Sequence, residues 1–498
     1  MDTFKELMTH FLGTSFFWEW LIITLILVTL ALLGRRKFQV QLQTGTPPGV
    51  STLLILAGLL VILNLRAVPT GDEPHYLIMT QSLLRDGDFD MRNNYEQMDY
   101  LAYYPDIIPD PHVTTVGNHW YPVHGLGLPL LAAPFFAAAG RPGVVVKLTL
   151  LTVAGLRILW SFLRRVGMGS RATGFATIIA AFTLPLASLS GQVFPEIPAF
   201  LIIALALRAI VAPALAGRDF AALLFSLVFL PWLHPKYAAV ALALLLAAAL
   251  AHRQKRVIRA LAIACSLFIA SVAGLALLTY QWYGVPLPGV SIMMAKAPFR
   301  EDWLIPLAAH FLVEPWVGLT GVLFDQQSGL FIASPVYVLA IPGLLLLWRR
   351  KRSLAIICVL VFASLYLPAG AFGVWNGGFS SPARLLTPTV PVLALGIANL
   401  LDTGDQRDWK FFSILALPSL LHAYLMMTLP SFTRYGDPLS EQNYFISLFE
   451  RFIHLDLTIL FPVFHNIGPA TWLTVSVYLL AIILTTIFLV QPKSQEYA

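Results

Sequence analysis

Two adjacent acids, Asp72 and Glu73, stand in the run Gly71-Asp72-Glu73-Pro74-His75-Tyr76, just beyond an apolar stretch near residues 50–66. A carboxylate pair at a bilayer surface is costly to desolvate, so it needs a purpose. One purpose is general-base chemistry: a carboxylate takes the proton of a hydroxyl as that oxygen attacks an electrophilic carbon. The local pattern offers a second. Pro74 after the pair suits a loop-to-helix corner, with Asp72 as its cap and Pro74 in the first turn. From spacing alone the two readings weigh evenly.

The elements that must position these acids are apolar helices. Of 498 residues, 58% are hydrophobic and 12% charged. Apolar runs of roughly 18 residues recur along the chain, which excludes an ordinary soluble domain and points to an all-α polytopic membrane bundle. Thirteen spans are expected, near 16–34, 50–66, 144–163, 172–190, 197–214, 219–233, 237–252, 258–279, 330–348, 353–371, 385–402, 410–429 and 470–490. The N-terminal run is not a cleavable signal, because Arg35-Arg36-Lys37 follows it rather than preceding it. Cys265 and Cys358 both fall inside apolar runs and form no redox or metal motif.

Charge placement sets the orientation. Of the 32 Lys and Arg, 19 fall in short loops on one side, including Arg164-Arg165, Arg253 to Arg259 and Arg349 to Arg352; 18 of the 26 acids fall in loops on the other. Short basic loops stay in the cytoplasm, so the N-terminus should lie outside and the C-terminus inside. The net charge of +6 is then a topogenic signal and implies no nucleic-acid partner. Four sizeable outer segments are expected, at 67–143, 280–329, 372–384 and 430–469. Within the first, Glu73–Leu84 and Leu126–Ala139 read as short interfacial helices that together form a cap.

Several motifs on the outer side resemble the GT-C superfamily of integral-membrane glycosyltransferases, which includes protein O-mannosyltransferases, aminoarabinose transferases and arabinofuranosyltransferases. The resemblance is carried by the Gly71–Leu77 run, Tyr121-Pro122-Val123-His124-Gly125-Leu126-Gly127-Leu128-Pro129, Phe194-Pro195-Glu196-Ile197-Pro198-Ala199, Phe324–Leu330 and Trp375-Asn376-Gly377-Gly378-Phe379-Ser380-Ser381-Pro382-Ala383-Arg384. It covers about residues 50–400. It divides the chain into an additional N-terminal helix and inner loop (1–49), a transmembrane core (50–402) and C-terminal helices (403–498). The implied activity is inverting transfer of a sugar from a polyprenyl-phosphate donor to a hydroxyl of a lipid, polysaccharide or protein, outside a bacterial plasma membrane. Asp72 is then the base, with Glu73 helping to bind acceptor or a cation.

Such a donor leaves an anionic prenyl phosphate behind, which needs a positive partner. Arg384 and Lys236 are each nearly alone as basic residues in short outer turns. A guanidinium grips phosphate oxygens with two parallel bonds, and an ammonium serves as a point charge. Snorkelling to lipid headgroups is the plainer role for both. His75, His112, His119, His124, His234, His310, His454 and His465 lie outside; with Asp72, Glu73 and Glu196 they could hold a divalent metal, although no ligand spacing typical of one occurs. Glu196 at a helix start could equally be an N-terminal charge. Trp375 beside Asn376 could stack on a sugar, or belong to an interfacial aromatic belt.

Two other functions fit the same scaffold: a transporter or flippase of a lipid-linked saccharide, and an inactive assembly subunit. The absence of inverted repeats and of midplane charges weighs against the transporter. Orientation is directly testable. A cysteine at position 72 should react with a membrane-impermeant maleimide on intact cells, whereas one at position 256 should react only after lysis. The reverse pattern would invert the topology.

Overall fold

The computed structural model describes residues 50–104, 111–284, 315–428 and 467–491, together with Thr24, Leu25, Thr29, Ile108, Ile446, Glu450 and 460–464. The expected first span, most of the outer segments 280–329 and 430–469, and His310, His454 and His465 lie outside the described residues.

Helices dominate, as the hydropathy pattern requires. In chain order they are α1 (Val50–Leu65), α2 (Glu73–Arg85), α3 (Arg92–Glu96), α4 (Gly127–Val166), α5 (Ser170–Phe182), α6 (Leu186–Leu189), α7 (Glu196–Ile210), α8 (Gly217–Leu233), α9 (Tyr237–Ala251), α10 (Lys255–Tyr283), α11 (Pro315–Phe324), α12 (Leu330–Ala333), α13 (Ala340–Arg350), α14 (Arg352–Ala371), α15 (Val390–Leu401), α16 (Gln406–Thr428) and α17 (Pro469–Val490). Among the described residues, α4, α10, α14, α16, α17 and the stretch Arg384–Leu401 are long and apolar enough to cross a membrane, and α1, α9 and α11 are shorter apolar helices. Twelve of the thirteen expected spans therefore coincide with helical stretches, several of them short or interrupted. The stretch at 172–190 breaks after Phe182 ahead of Pro185, and that at 330–348 is divided among α12, a 3₁₀ turn at Pro335–Leu339 and α13. Proline lacks a backbone donor and pushes its predecessor out of the helical region, which hydropathy does not register.

Both interfacial helices of the cap are present. The helix expected over Glu73–Leu84 is α2. The one expected over Leu126–Ala139 is the first part of α4, set off from the membrane part by non-helical backbone at Ala139 and Gly140. Within this helical fold, β1 (Val113–Val116) and β2 (His119–Pro122) form an antiparallel hairpin in register Val113↔Pro122 and Val116↔His119. Its Gly117-Asn118 turn between β-branched and aromatic runs is a hairpin signature.

Helix ends sort into two sets. On one side Arg165 donates to the Arg208 carbonyl and to Asp219, both at 3.0 Å, Gly169 N–H donates to Asp402 at 2.7 Å, and Arg171 lies 4.3 Å from the Trp409 ring centroid. On the other, Asn64 donates to Ser190 at 2.8 Å, and the ends of α1, α7, α8 and the start of Arg384–Leu401 converge near residues 72, 193, 236 and 384. These are the groups that charge placement assigned to opposite faces. Between them the helices pack closely. A Cβ on Gly343 of α13 would lie 1.8 Å from the Gly396 carbonyl oxygen of α15, an approach only glycine permits and one typical of helix contacts in lipid.

Candidate active site

The corner that carries the two acids is set by glycine. Gly71 has φ +55°, and a Cβ there would fall 2.4 Å from the Phe379 carbonyl oxygen, so both its conformation and the close approach exclude a side chain. α2 then begins at Glu73 with Pro74 in its first turn. Asp72 occupies the cap position, yet its side chain makes no capping bond. Its carboxylate turns instead to Arg384, distant in sequence.

Arg384 Nη2 donates to Asp72 Oδ2 at 2.7 Å, Nε to Glu196 Oε1 at 3.3 Å, and Nη1 to the Gly377 carbonyl at 3.3 Å. The guanidinium lies on the Phe194 ring, 3.9 Å from its centroid. Lys236 Nζ donates to the same Glu196 oxygen at 2.8 Å. The result is a row of alternating sign: Asp72, Arg384, Glu196, Lys236. Arg384 is presented by strained backbone, since Ala383 before it has φ +58°. The Ala383 amide donates to the Ser328 carbonyl at 2.9 Å, and Asp325 Oδ2 accepts from the Ser328 amide and hydroxyl, each at 2.9 Å. The Phe324–Leu330 motif therefore supports the arginine.

Histidines flank the other carboxylate oxygen. His112 Nδ1 lies 3.4 Å and His124 Nε2 4.0 Å from Asp72 Oδ1, and these two nitrogens are 3.0 Å apart. The hairpin brings them together, His112 just before β1 and His124 just after β2. His75 stacks on His112 with centroids 3.7 Å apart, and its Nδ1 is 2.6 Å from the Tyr95 hydroxyl. Burial would push the Asp72 carboxyl up, but Arg384, His124 and His112 outweigh it and hold it well below the usual carboxylate range. Burial lowers His124 to about 3, with Asp72 pulling the other way.

Glu73 sits apart from this row. It is buried, and its two oxygens accept from the Thr70 amide at 3.2 Å and the Val193 amide at 2.8 Å. It ties the Gly71 corner to the loop before α7. His234 likewise serves the backbone, its Nδ1 accepting from the Lys236 amide at 3.2 Å. Asn376 Oδ1 accepts from Gly378 N–H at 3.1 Å and so shapes the turn whose Gly377 carbonyl meets Arg384. The Trp375 ring packs edge-on to Phe464 and against Gly321. His119 pairs with Asp90 at 2.6 Å, away from the row. Phe194 and Arg141 were missed in the sequence. Arg141, which donates to the Ala67 carbonyl beside the Glu73 corner, is a single basic residue between two apolar runs, the same signal that marked Lys236.

Beside His124 lies a small open hollow, lined by Pro122 to Leu126, Pro231, Pro235 and Leu275, Leu278, Thr279, Trp282 and Tyr283 of α10. α10 is mostly exposed along its apolar length, so the hollow adjoins a lipid-facing helix.

No protein-family model and no curated protein matches the sequence. Among solved structures the chain is similar to ArnT from Cupriavidus metallidurans bound to undecaprenyl phosphate, with 14% identity, TM-score 0.48, and coverage of 89% of this chain and 73% of that one. The apo state of ArnT gives 13% identity and the same score. The chain is also similar to the archaeal oligosaccharyltransferase AglB from Archaeoglobus fulgidus in complex with an inhibitory peptide and a dolichol-phosphate, with 11% identity, TM-score 0.44, and coverage of 90% and 61%. The chain thus spans less than two thirds of AglB. These are distant likenesses of fold and assign no role to any residue.

Glu73 gives a pH prediction. Burial raises its carboxyl to about 7 from an ordinary 4.5, with Arg141 and the Val193 and Thr70 amides opposing. A carboxyl raised in the folded state holds its proton more tightly there, so its stabilising contribution is full below about 4.5 and lost as pH rises through about 7. Between about pH 5 and about pH 8 the native protein should therefore lose thermal stability that Glu73→Gln does not, by up to roughly 3 kcal/mol. Parallel melting curves for the two across that range would refute the assignment.

Proposed function

We propose that the chain is an inverting glycosyltransferase that moves a sugar from a polyprenyl-phosphate donor to a hydroxyl of a lipid, polysaccharide or protein, on the extracytoplasmic face of a bacterial membrane. The reading rests on one observation: two carboxylates and two cations drawn from four distant segments meet in a single row, beside an open hollow at a lipid-facing helix. The motif resemblance to GT-C enzymes agrees with it.

The chemistry follows from the charges. The acceptor oxygen attacks C1 from the face opposite the phosphate and forms the new C–O bond. The C1–O bond to phosphate breaks, and its electron pair stays on the phosphate, where Arg384 and Lys236 balance the charge. The acceptor proton passes to Asp72. A carboxylate as acidic as this one takes the proton only as the attacking oxygen becomes acidic, so transfer accompanies C–O bond formation. The prenyl chain stays in the bilayer or enters the hollow beside Leu275, Leu278 and Trp282. Apolar burial contributes about 0.8 kcal/mol per CH₂ transferred from water, and little for a chain already in lipid. Selectivity must then come from the sugar and phosphate.

Asp72 Oδ1, His112 Nδ1 and His124 Nε2 also fit a divalent cation. Ligands about 2.1 Å from a tetrahedral zinc stand about 3.4 Å apart, and the observed separations are 3.4, 4.0 and 3.0 Å. All three ligand atoms lie within 4.8 Å of one another. A bound cation would add positive charge beside the acceptor hydroxyl.

Asp72→Asn should leave expression and folding intact while reducing transfer at least ~10³-fold, in line with removal of a base and its charge. Envelope glycans and lipids profiled by mass spectrometry in cells carrying either form provide the readout. Near-native glycan profiles in the variant would end the assignment. For the cation, metal analysis of purified protein should find about one equivalent of zinc or another divalent ion, lost in His112→Ala and in His124→Ala. Metal-free native protein after dialysis against zinc would refute the site.

A further inference from the structure

The charged row carries a further step, which rests on the glycosyltransferase reading. All three guanidinium nitrogens of Arg384 are engaged, by Asp72, Glu196 and the Gly377 carbonyl, and its face is covered by Phe194. Lys236 shares Glu196 Oε1 with Arg384. Two carboxylates against two cations leave the row formally neutral, so it offers a phosphate little net attraction. Three of the five Arg384 N–H groups are thus committed in a buried setting, so a phosphate that approaches meets the two carboxylates as rivals for the same cations.

Glu196 is held unevenly. Its Oε1 serves both cations, while its Oε2 is buried and has no hydrogen-bond partner. The side chain is fully enclosed, and a buried carboxylate oxygen without a donor is costly. The Tyr237 hydroxyl, one residue from Lys236, is also buried and unpartnered.

We propose that the donor phosphate exchanges with Asp72 and Glu196 for Arg384 and Lys236, so that Asp72 is released to act as base only when a donor is seated. The exchange breaks no covalent bond. Arg384 Nη2 passes from Asp72 Oδ2 to a phosphate oxygen, which leaves Asp72 Oδ2 open to receive the acceptor's proton. Glu196 gives up its shared oxygen contacts and turns its unpartnered oxygen toward a hydroxyl of the sugar. An empty site is thereby kept from activating a hydroxyl without a sugar to receive it.

The exchange predicts an uncommon sign. Undecaprenyl phosphate alone is titrated onto the purified full-length protein in nanodiscs, and Kd is read from intrinsic tryptophan fluorescence. Asp72→Asn and Glu196→Gln each remove a competitor for the cations and should tighten binding about tenfold, the scale of one charge-assisted hydrogen bond. Lys236→Gln should weaken it by a similar factor. Unchanged or weaker binding in the two carboxylate variants would mean that the acids merely hold the cations in place, and would overturn the exchange while leaving the transferase reading intact. If the native protein binds no undecaprenyl phosphate, that reading fails, and the exchange with it. Should Glu196→Gln fail to fold, as judged by its melting curve, Asp72→Asn carries the same sign by itself.

Discussion

The contact between Arg384 and Asp72 is the constraint around which the outer half of the molecule is arranged. The two residues are 312 positions apart, one at the end of the first cap corner and the other at the start of a buried helix. Placing a guanidinium where water is scarce is unfavourable unless anions and acceptors surround it. Two carboxylates, a backbone carbonyl and an aromatic face provide that surrounding. Around the arginine are disposed the Gly71 corner, the loop before α7, the Phe324–Leu330 turn and the hairpin histidines. Each presents a polar group to the same place, which a bundle held only by apolar packing would have no reason to do.

Much of this was legible in the sequence, residue by residue. Asp72, Glu196, Arg384 and Lys236 were identified from their types and from their positions at the ends of apolar runs, and the structure joins all four. Their pairing was not legible, because hydropathy reports that a residue lies at a helix end and not which other end it meets. Glu73 stood out for the same reasons as Asp72, yet its oxygens serve backbone amides. Adjacent residues at a loop-to-helix corner point in different directions, and composition is blind to that. His112 and His124 were visible only as members of a set of outer histidines. The two-residue Gly117-Asn118 turn, which brings them together, was a readable signal that the helical expectation passed over.

The helices show the same division. Which helix ends share a face was legible because it depends on counting charges in loops, and the described contacts gather those ends into the same two groups. Continuity was less legible. Apolar composition runs unbroken through Pro185 and Pro335, where the backbone breaks, because prolines are tolerated in lipid once neighbouring groups satisfy the freed carbonyls. These irregular stretches sit at the end of the bundle that holds the row of charges. Non-helical backbone within a membrane protein is tolerated where it is enclosed by protein, and that is where it lies here.

The kink at Ala139 and Gly140 bears on how substrates come and go. A single stretch of chain, Gly127–Val166, runs through the roof and on down through the bilayer, bent at that one point. A roof anchored to its own pillar cannot hinge away like a lid without drawing a membrane helix after it.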